Sequence, residues 1–543
     1  MGRASAYPEG ERLRDTAGSA AVTPGSVRSG ERFPSASLAV IALVMGLGLY
    51  QFARTFADPD IWGYIASGRL YHDTGRIRQP DPFSYVTAGH EWLNFEWLFS
   101  LLVFRLFAAL GPPGLIVFKV AIGLLLLGVV YRFLCRQGLP SARAGILVLI
   151  VTQFLVPFFL IVRPHLITYG FFVAVLLLLH ALDRGDARWL YAAPPLFALW
   201  ANLHPGFLAG LGVLGIWTVV ELGQRWLEKD RPAAPSRTSM WVVIPILITC
   251  GLVTGLNPWG YHLHPLLWRT ALVPRPELLE WQPLYLVSGQ GVSYLLLVMV
   301  AAAGWSYSRR PRSLPVLGAV AACALLPLVA WRHVPIAVLA ITVLTGEHIG
   351  DAWERWSRAR AGRGSAPSAA VERVLAATAT VGAALFVLLA MPRFGCIVID
   401  PPSALGQPVR AVGLLRSSGF SGNLAIDFDW GLYAMYHLTP AIKVSVDGRR
   451  ETAYDDRVYN QNLDFRFGTG DWEALLREHD THLALVRRLH PSDNLLRLKP
   501  GWTLLYEDPL AALFGRADVP YLDRIVATPA PSVPYDGAGL CMP

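Results

Sequence analysis

Runs of about 20 apolar residues recur along most of this chain, and they decide the solvent in which it must fold. A helix needs that length to cross a bilayer, because backbone N–H and C=O groups in hydrocarbon must be satisfied within the segment. Such runs lie near 36–56, 113–133, 142–162, 166–182, 189–203, 206–225, 240–257, 292–308, 314–331, 334–349 and 369–390. Only 16% of the 543 residues are charged, against roughly a quarter in soluble chains. The deficit falls within 36–390, whereas 391–543 has an ordinary soluble composition. The expected fold class is therefore a polytopic α-helical membrane protein of about 11 spans, with 12 as the alternative, carrying a C-terminal α/β soluble domain. The expected division is a polar, disordered cytoplasmic tail (1–35), a membrane domain (36–390) with an outer loop at 57–94, and an extracytoplasmic domain (391–543).

A net charge of +8 raises nucleic acid as a partner in a soluble protein. Here the arginines sit in short connectors between apolar runs, with no aromatic-interleaved basic groove, so nucleic acid is excluded and the bilayer is the partner. With the N-terminus in the cytosol, Lys and Arg of the inside segments outnumber those of the outside segments by 22 to 8. An odd number of spans then places the C-terminal domain beyond the cell's inner (plasma) membrane. One segment threatens this count. Residues 95–110 are apolar but short and carry Arg105. As a span they would invert every later loop, so they are expected to lie at the outer interface or to re-enter it. The first apolar run has no convincing cleavage site after it, so no signal peptide is expected.

Residues 410–417, 430–437 and 471–479 read as helices. Residues 423–427, 443–446, 482–486, 502–506 and 511–514 read as strands, and 495–498 as a short helical turn. This alternation predicts a partly parallel sheet. Cys396 and Cys541 both fall in this region and can pair if it faces an oxidising compartment, though spacing alone does not establish the bond.

The candidate chemistry lies in the loops assigned to the outer side. Asp58-Pro59-Asp60 follows the first apolar run directly, and two carboxylates there can act as general base or metal ligands. The plainer reading is that Asp60 caps a helix beginning at Ile61. That helix, Ile61 to Asp73, carries Trp62, Ile65, Ala66 and Leu70 on one face and is expected to rest on the membrane. Glu91 and Glu96 each precede a tryptophan, and each taken alone fits a solvated acidic loop. Arg163-Pro164-His165, Asn202-Leu203-His204 and Arg332-His333 fall at junctions between spans. Ionisable groups at that depth usually face a polar cavity, and arginines there can grip a phosphate. Snorkelling arginines and capped helix ends are the plainer alternatives. Asp427-Phe428-Asp429 and Asp447-Gly448-Arg449 follow strands, the second reading foremost as a turn. No phosphate-binding GxxxxGK[ST] loop, HExxH or nucleophile elbow occurs. No organic cofactor is indicated. A divalent metal is the one candidate, with Asp58, Asp60 and His204 as candidate ligands.

Asp58-Pro59-Asp60-Ile61-Trp62, Asp81-Pro82-Phe83-Ser84-Tyr85, Glu96-Trp97, Arg163-Pro164-His165, Asn202-Leu203-His204, Glu280-Trp281-Gln282-Pro283 and Val446-Asp447-Gly448-Arg449 together resemble a bacterial group set beside the C-type superfamily of integral-membrane glycosyltransferases. Protein O-mannosyltransferases and lipid A aminoarabinose transferases belong to that superfamily. The resemblance covers nearly the whole chain beyond residue 35. It implies inverting transfer of a hexosyl or pentosyl group from a polyprenyl-phosphate-linked sugar to an extracytoplasmic acceptor. Asp58 or Asp60 would be the catalytic carboxylate. Glu91, Glu96, Arg163, His165, His204, Arg332 and His333 are substrate-binding candidates, by position only. The family's phosphate-gripping basic residues have no unambiguous counterpart. The alternative is a non-enzymatic scaffold or polysaccharide-handling protein whose outer domain binds a partner. Oligomeric state is not legible.

Overall fold

The computed structural model describes residues 35–228, 238–272, 278–360, 369–399, 406–532 and 540–542. All but the last residue of the expected tail lies outside them. The helices of the membrane region are α1 (Ser35–Ala53), α2 (Pro59–Thr74), α3 (Trp97–Arg136), α4 (Ser141–Leu155), α5 (His165–Asp183), α6 (Ala193–Leu203), α7 (Phe207–Leu227), α8 (Met240–Val253), α9 (Leu263–Leu272), α10 (Gly289–Tyr307), α11 (Leu314–Leu325), α12 (Val334–Arg360) and α13 (Ala369–Ala390). Every apolar run named from the sequence is helical. Among the described residues seven helical segments are long and apolar enough to cross a membrane, and shorter apolar helices stand beside them. This is a polytopic membrane protein with a C-terminal α/β region.

Helix α1 packs closely on α13. A Cβ at Gly46 would stand only 3.0 Å from the Ala383 carbonyl oxygen, the close backbone approach that small residues allow between helices in lipid. The chain leaving α13 then hydrogen-bonds to the chain leaving α1. Val398 N–H donates to Thr55 O (2.9 Å) and Ala57 N–H to Val398 O (2.8 Å). The C-terminal ends of α1 and α13 therefore lie together, where a first and a last span would end if the number of crossings were odd.

Of residues 95–110, 97–110 form the first part of α3, which breaks at Gly111 (φ 64, ψ −162), just before Pro112 and Pro113. Glycine tolerates that backbone, and the prolines cannot continue the ladder. The part before the break packs along α2. A Cβ at Gly68 would lie 2.2 Å from the Ser100 carbonyl oxygen.

The expectation that α2 rests on the membrane is overturned. Trp62 and Ile65 are fully buried. Trp62 meets Tyr433 edge-on at 5.0 Å and Tyr436 at 5.1 Å, both on a helix of the C-terminal region. Residues on more than one side of α2 are buried, because α3 covers one face and the α/β region another.

That region continues with α14 (Val409–Ser417), α15 (Phe428–Leu438), α16 (Arg450–Ala453) and α17 (Asp456–Phe467). Its strands are β1 (Val398–Ile399), β2 (Gly422–Ile426), β3 (Ile442–Val444), β4 (Leu483–Arg487), β5 (Trp502–Glu507), β6 (Ala511–Arg516) and β7 (Leu540–Cys541). The main sheet has the order β3-β2-β4-β6-β5. β2 is parallel to β3 and β4, and β6 is antiparallel to β4 and β5. β1 pairs with β7, and the Cys396–Cys541 disulfide joins their ends. The outer loop lengthens the main sheet: Val444 N–H donates to Phe83 O (3.1 Å) and Tyr85 N–H to Val444 O (3.2 Å).

Candidate functional site at the mouth of the bundle

Asp58 and Asp60 open α2. Asp58 occupies the N-cap position, but its side chain makes no capping hydrogen bond, and Asp60 lies inside the first turn. The capping explanation of Asp60 therefore fails. Both carboxylates turn instead to Arg163, between α4 and α5. Arg163 Nε donates to Asp58 Oδ2 (2.5 Å), another guanidinium nitrogen stands 2.8 Å from Asp60 Oδ2, and a third contact reaches Glu280 Oε2 at 3.3 Å. Burial opposes the charge on Arg163, but the carboxylates of Asp60, Asp58 and Glu280 outweigh it and hold the group protonated. Burial pushes the Asp58 carboxyl upward against the pull of the same arginine. Glu280 also faces Arg332, at 3.9 Å, and the Arg332 guanidinium lies over the Trp281 ring at 4.5 Å.

Lys119, buried in α3, fixes the two loops that deliver these residues. Its Nζ donates to Arg54 O (2.9 Å) and Phe159 O (2.6 Å). Phe56 N–H donates to Leu160 O (2.8 Å), joining the same loops directly. Neither Lys119 nor Glu280 stood among the sequence candidates. A lone lysine in an apolar run reads as a tolerated exception, and Glu280 carried only the Glu-Trp-Gln-Pro motif as a signal.

A cleft of about 120 Å³ adjoins the cluster. Asp60, Tyr64 and Glu96 line it from the membrane side, and Leu432, Gly448 and Arg449 from the sheet side. Burial, with the nearby charge of Asp60 in support, pushes the Glu96 carboxyl up to about 8, so it is protonated at neutral pH. His204 Nε2 lies 3.8 Å from Glu96 Oε1. Gly206 N–H donates to His204 Nδ1 (3.0 Å), and Trp200 occupies the Thr168 oxygen (2.8 Å), which leaves the Thr168 hydroxyl to donate to the same Nδ1 (2.8 Å). The proton of this imidazole is thus assigned to Nε2, facing Glu96. Burial and the charge of Arg332 hold the His204 ring neutral, its pKa well below the usual value. Trp97 Nε1 donates to Asn202 Oδ1 (2.9 Å) and ties the two stretches together.

Arg449 joins the outer loop to the sheet. Its guanidinium donates to Asp81 (2.9 and 3.1 Å) and to Asp447 (2.8 and 2.7 Å), and it lies over Trp92 at 4.5 Å. Asp447 also accepts the Arg449 backbone N–H (3.0 Å), so the turn is real and has a second use. Asp427 accepts the Asp429 N–H as a local cap and faces Arg466 and Arg487, apart from the cleft.

Three candidates stand outside the cluster. Glu91 pairs with Arg78 (2.5 Å), with both side chains well exposed. His165 gives Nε2 to the Phe158 carbonyl (3.0 Å) and pins the break between α4 and α5. His333 follows Arg332 on one short turn and has no polar contact with the cluster among the described residues. Nor do Asp58, Asp60 and His204 fit a shared divalent ion. Arg163 already bridges the two aspartates, the imidazole faces Glu96, and no group of three or more His, Cys, Asp or Glu among the described residues is arranged to hold a metal.

No protein-family model matches the chain, and no curated protein matches it. Among solved structures its fold is similar to ArnT from Cupriavidus metallidurans bound to undecaprenyl phosphate, with a TM-score of 0.49 and 15% identity, covering 90% of this chain and 98% of that one. The same protein in the apo state gives a TM-score of 0.48 at 15% identity, with the same coverage.

Proposed function

We propose that this chain is a membrane glycosyltransferase that moves a sugar from a polyprenyl-phosphate donor to an acceptor on the extracytoplasmic side of the inner membrane. The observation that carries this reading is the convergence of Asp58, Asp60, Arg163, Glu280 and Arg332 at one end of the bundle, beside a cleft closed by the sheet region. A scaffold has no need of two carboxylates gathered on one half-buried arginine.

The geometry divides the roles. Asp58 is committed to Arg163, whereas Asp60 also lines the cleft. Asp60 is therefore the base. It takes the proton from an acceptor hydroxyl or amine as that atom attacks the anomeric carbon. The bond from that carbon to the phosphate oxygen breaks, its electron pair leaves with polyprenyl phosphate, and configuration inverts. Arg163 is engaged by three carboxylates, so it positions Asp60 and does not receive the phosphate. Arg332, at 3.9 Å from one carboxylate, is the better partner for the leaving phosphate. His204, neutral with Nε2–H toward the cleft wall, and protonated Glu96 supply donors to sugar hydroxyls. The Cys396–Cys541 bond supports placing this end outside the cytosol, where disulfides persist, and the arginine bias of the opposite loops agrees.

The test uses the purified protein in proteoliposomes with a radiolabelled polyprenyl-phosphate-linked sugar. Release of polyprenyl phosphate is expected, reduced about 10²-fold by Arg332→Ala, the scale of losing one transition-state charge contact. Absence of donor turnover by the wild-type protein across hexosyl and pentosyl donors would leave the scaffold reading.

A further inference from the structure

At the end of the bundle opposite Arg163, helices α5, α7, α10, α11 and α12 surround a second cavity of about 670 Å³. Helix α5 runs from His165, beside the cluster, to Asp183 on this cavity wall. At 1.5 Å per residue that is roughly 27 Å, close to the thickness of the hydrocarbon core. The proposed transfer makes no use of this cavity.

Its walls combine apolar, aromatic and charged groups. Trp217 and Trp305 flank it, with Leu182 and Leu344 between. The anionic groups are largely matched: Glu347 accepts two hydrogen bonds from Arg184 (2.6 and 2.7 Å) and Glu221 one from Arg225 (2.7 Å). Asp183 is held by the neutral donors Trp217 (3.0 Å) and Ser313 (2.5 Å). Two arginines on the rim make no direct ion pair among the described residues. Arg312 donates only to carbonyls at the end of α10, and Arg310 feels the charge of Asp351, whose carboxylate is itself taken up by the Ser308 hydroxyl and the Arg309 N–H. His348 lines the cavity, is 2% exposed, and lies tilted against Trp305 at 4.3 Å. Its Nδ1 has no hydrogen-bond partner among the described residues. A buried polar atom left without a partner is costly unless a ligand or solvent supplies one.

We infer that this cavity binds the phosphate-bearing head of an anionic lipid from the leaflet at this end. The phosphate meets the Arg310 and Arg312 rim, and the first chain carbons lie on the tryptophan and leucine wall. Basic pockets between spanning helices recognise head groups in this way, and tryptophan suits the interfacial depth.

The full-length protein is equilibrated with vesicles of equal parts phosphatidylglycerol and phosphatidylcholine, extracted gently, and weighed with its retained lipids by native mass spectrometry. Phosphatidylglycerol is expected to be retained in preference. Arg310→Gln should weaken that preference by roughly tenfold, the effect of one charge-assisted contact. Arg188→Gln, exposed at the same end but outside the cavity, should leave it unchanged; both are surface changes compatible with folding. Excess inorganic phosphate should not displace the lipid. Equal retention of both lipids, or an Arg310→Gln protein indistinguishable from wild type, overturns the site. Displacement by inorganic phosphate overturns the lipid as its occupant and assigns the rim to a free anion.

Discussion

A protonated carboxylic acid beside an ionised pair is the most informative single group in this protein. Glu96 has a pKa raised from 4.5 to about 8 by burial. Between those values the folded protein holds a proton that the unfolded chain has released, so stability falls as pH rises from 4.5 towards 8 and then levels. Glu96→Gln removes that dependence. Its thermal midpoint in detergent should therefore gain on wild type progressively from pH 5 to about 8; a constant difference across that range would show that Glu96 titrates normally. The members of this cluster were legible because charged residues beside apolar runs are conspicuous. Their partnerships were not. Asp58 and Arg163 are separated by 105 positions, and no local pattern encodes a contact of that range. The capping alternative for Asp60 illustrates the limit, since an acid at the start of a helix looks the same whether it serves the backbone or a distant arginine.

Among the elements, α2 and the first part of α3 set the spacing of the cleft walls, because Asp60 and Glu96 stand at their beginnings. Gly68 permits this spacing. Gly68→Ala places a Cβ within 2.2 Å of the Ser100 oxygen, a clash expected to cost about 1–3 kcal/mol and to lower the unfolding midpoint measurably. Unchanged stability would mean the two helices have room to separate. Lys119→Met tests the loops in the same way. It strands the carbonyls of Arg54 and Phe159, at about 1–3 kcal/mol each, and a neutral outcome in the same measurement would reduce the lysine to a bystander. Spans and strands were readable because apolar period and length encode them. Helix α17 was not, because its inward face includes Gln461 and Asn462, and Asn462 reaches the Ile426 carbonyl (3.2 Å). A helix that buries amides shows no apolar stripe. The position of α2 was misread for a related reason: an amphipathic face records that something covers it and leaves open whether that is lipid or protein.

For the whole molecule, the chain ends after α1 and α13 are hydrogen-bonded together, and the sheet region closes over the loop at 57–94. Arg449 fastens that closure through Asp81 and Asp447. Arg449→Ala leaves two buried carboxylates unpaired, a loss of about 3–5 kcal/mol where it acts on folding. The loop at 57–94 should become open to protease while the spans stay intact; equal protease resistance would show that the sheet edge alone holds the closure. Arginine bias predicted which regions share a side, but the contact between them depended on pairing across 368 positions, which composition does not carry. The measurement that bears most directly on the whole account is single-turnover release of polyprenyl phosphate from a lipid-linked sugar by wild type and Asp60→Asn, compared at equal folding and equal donor binding. Asp60→Asn is expected to bind the donor as wild type does and to release polyprenyl phosphate at least about 10²-fold more slowly, as loss of a general base requires. Release at the wild-type rate would contradict it.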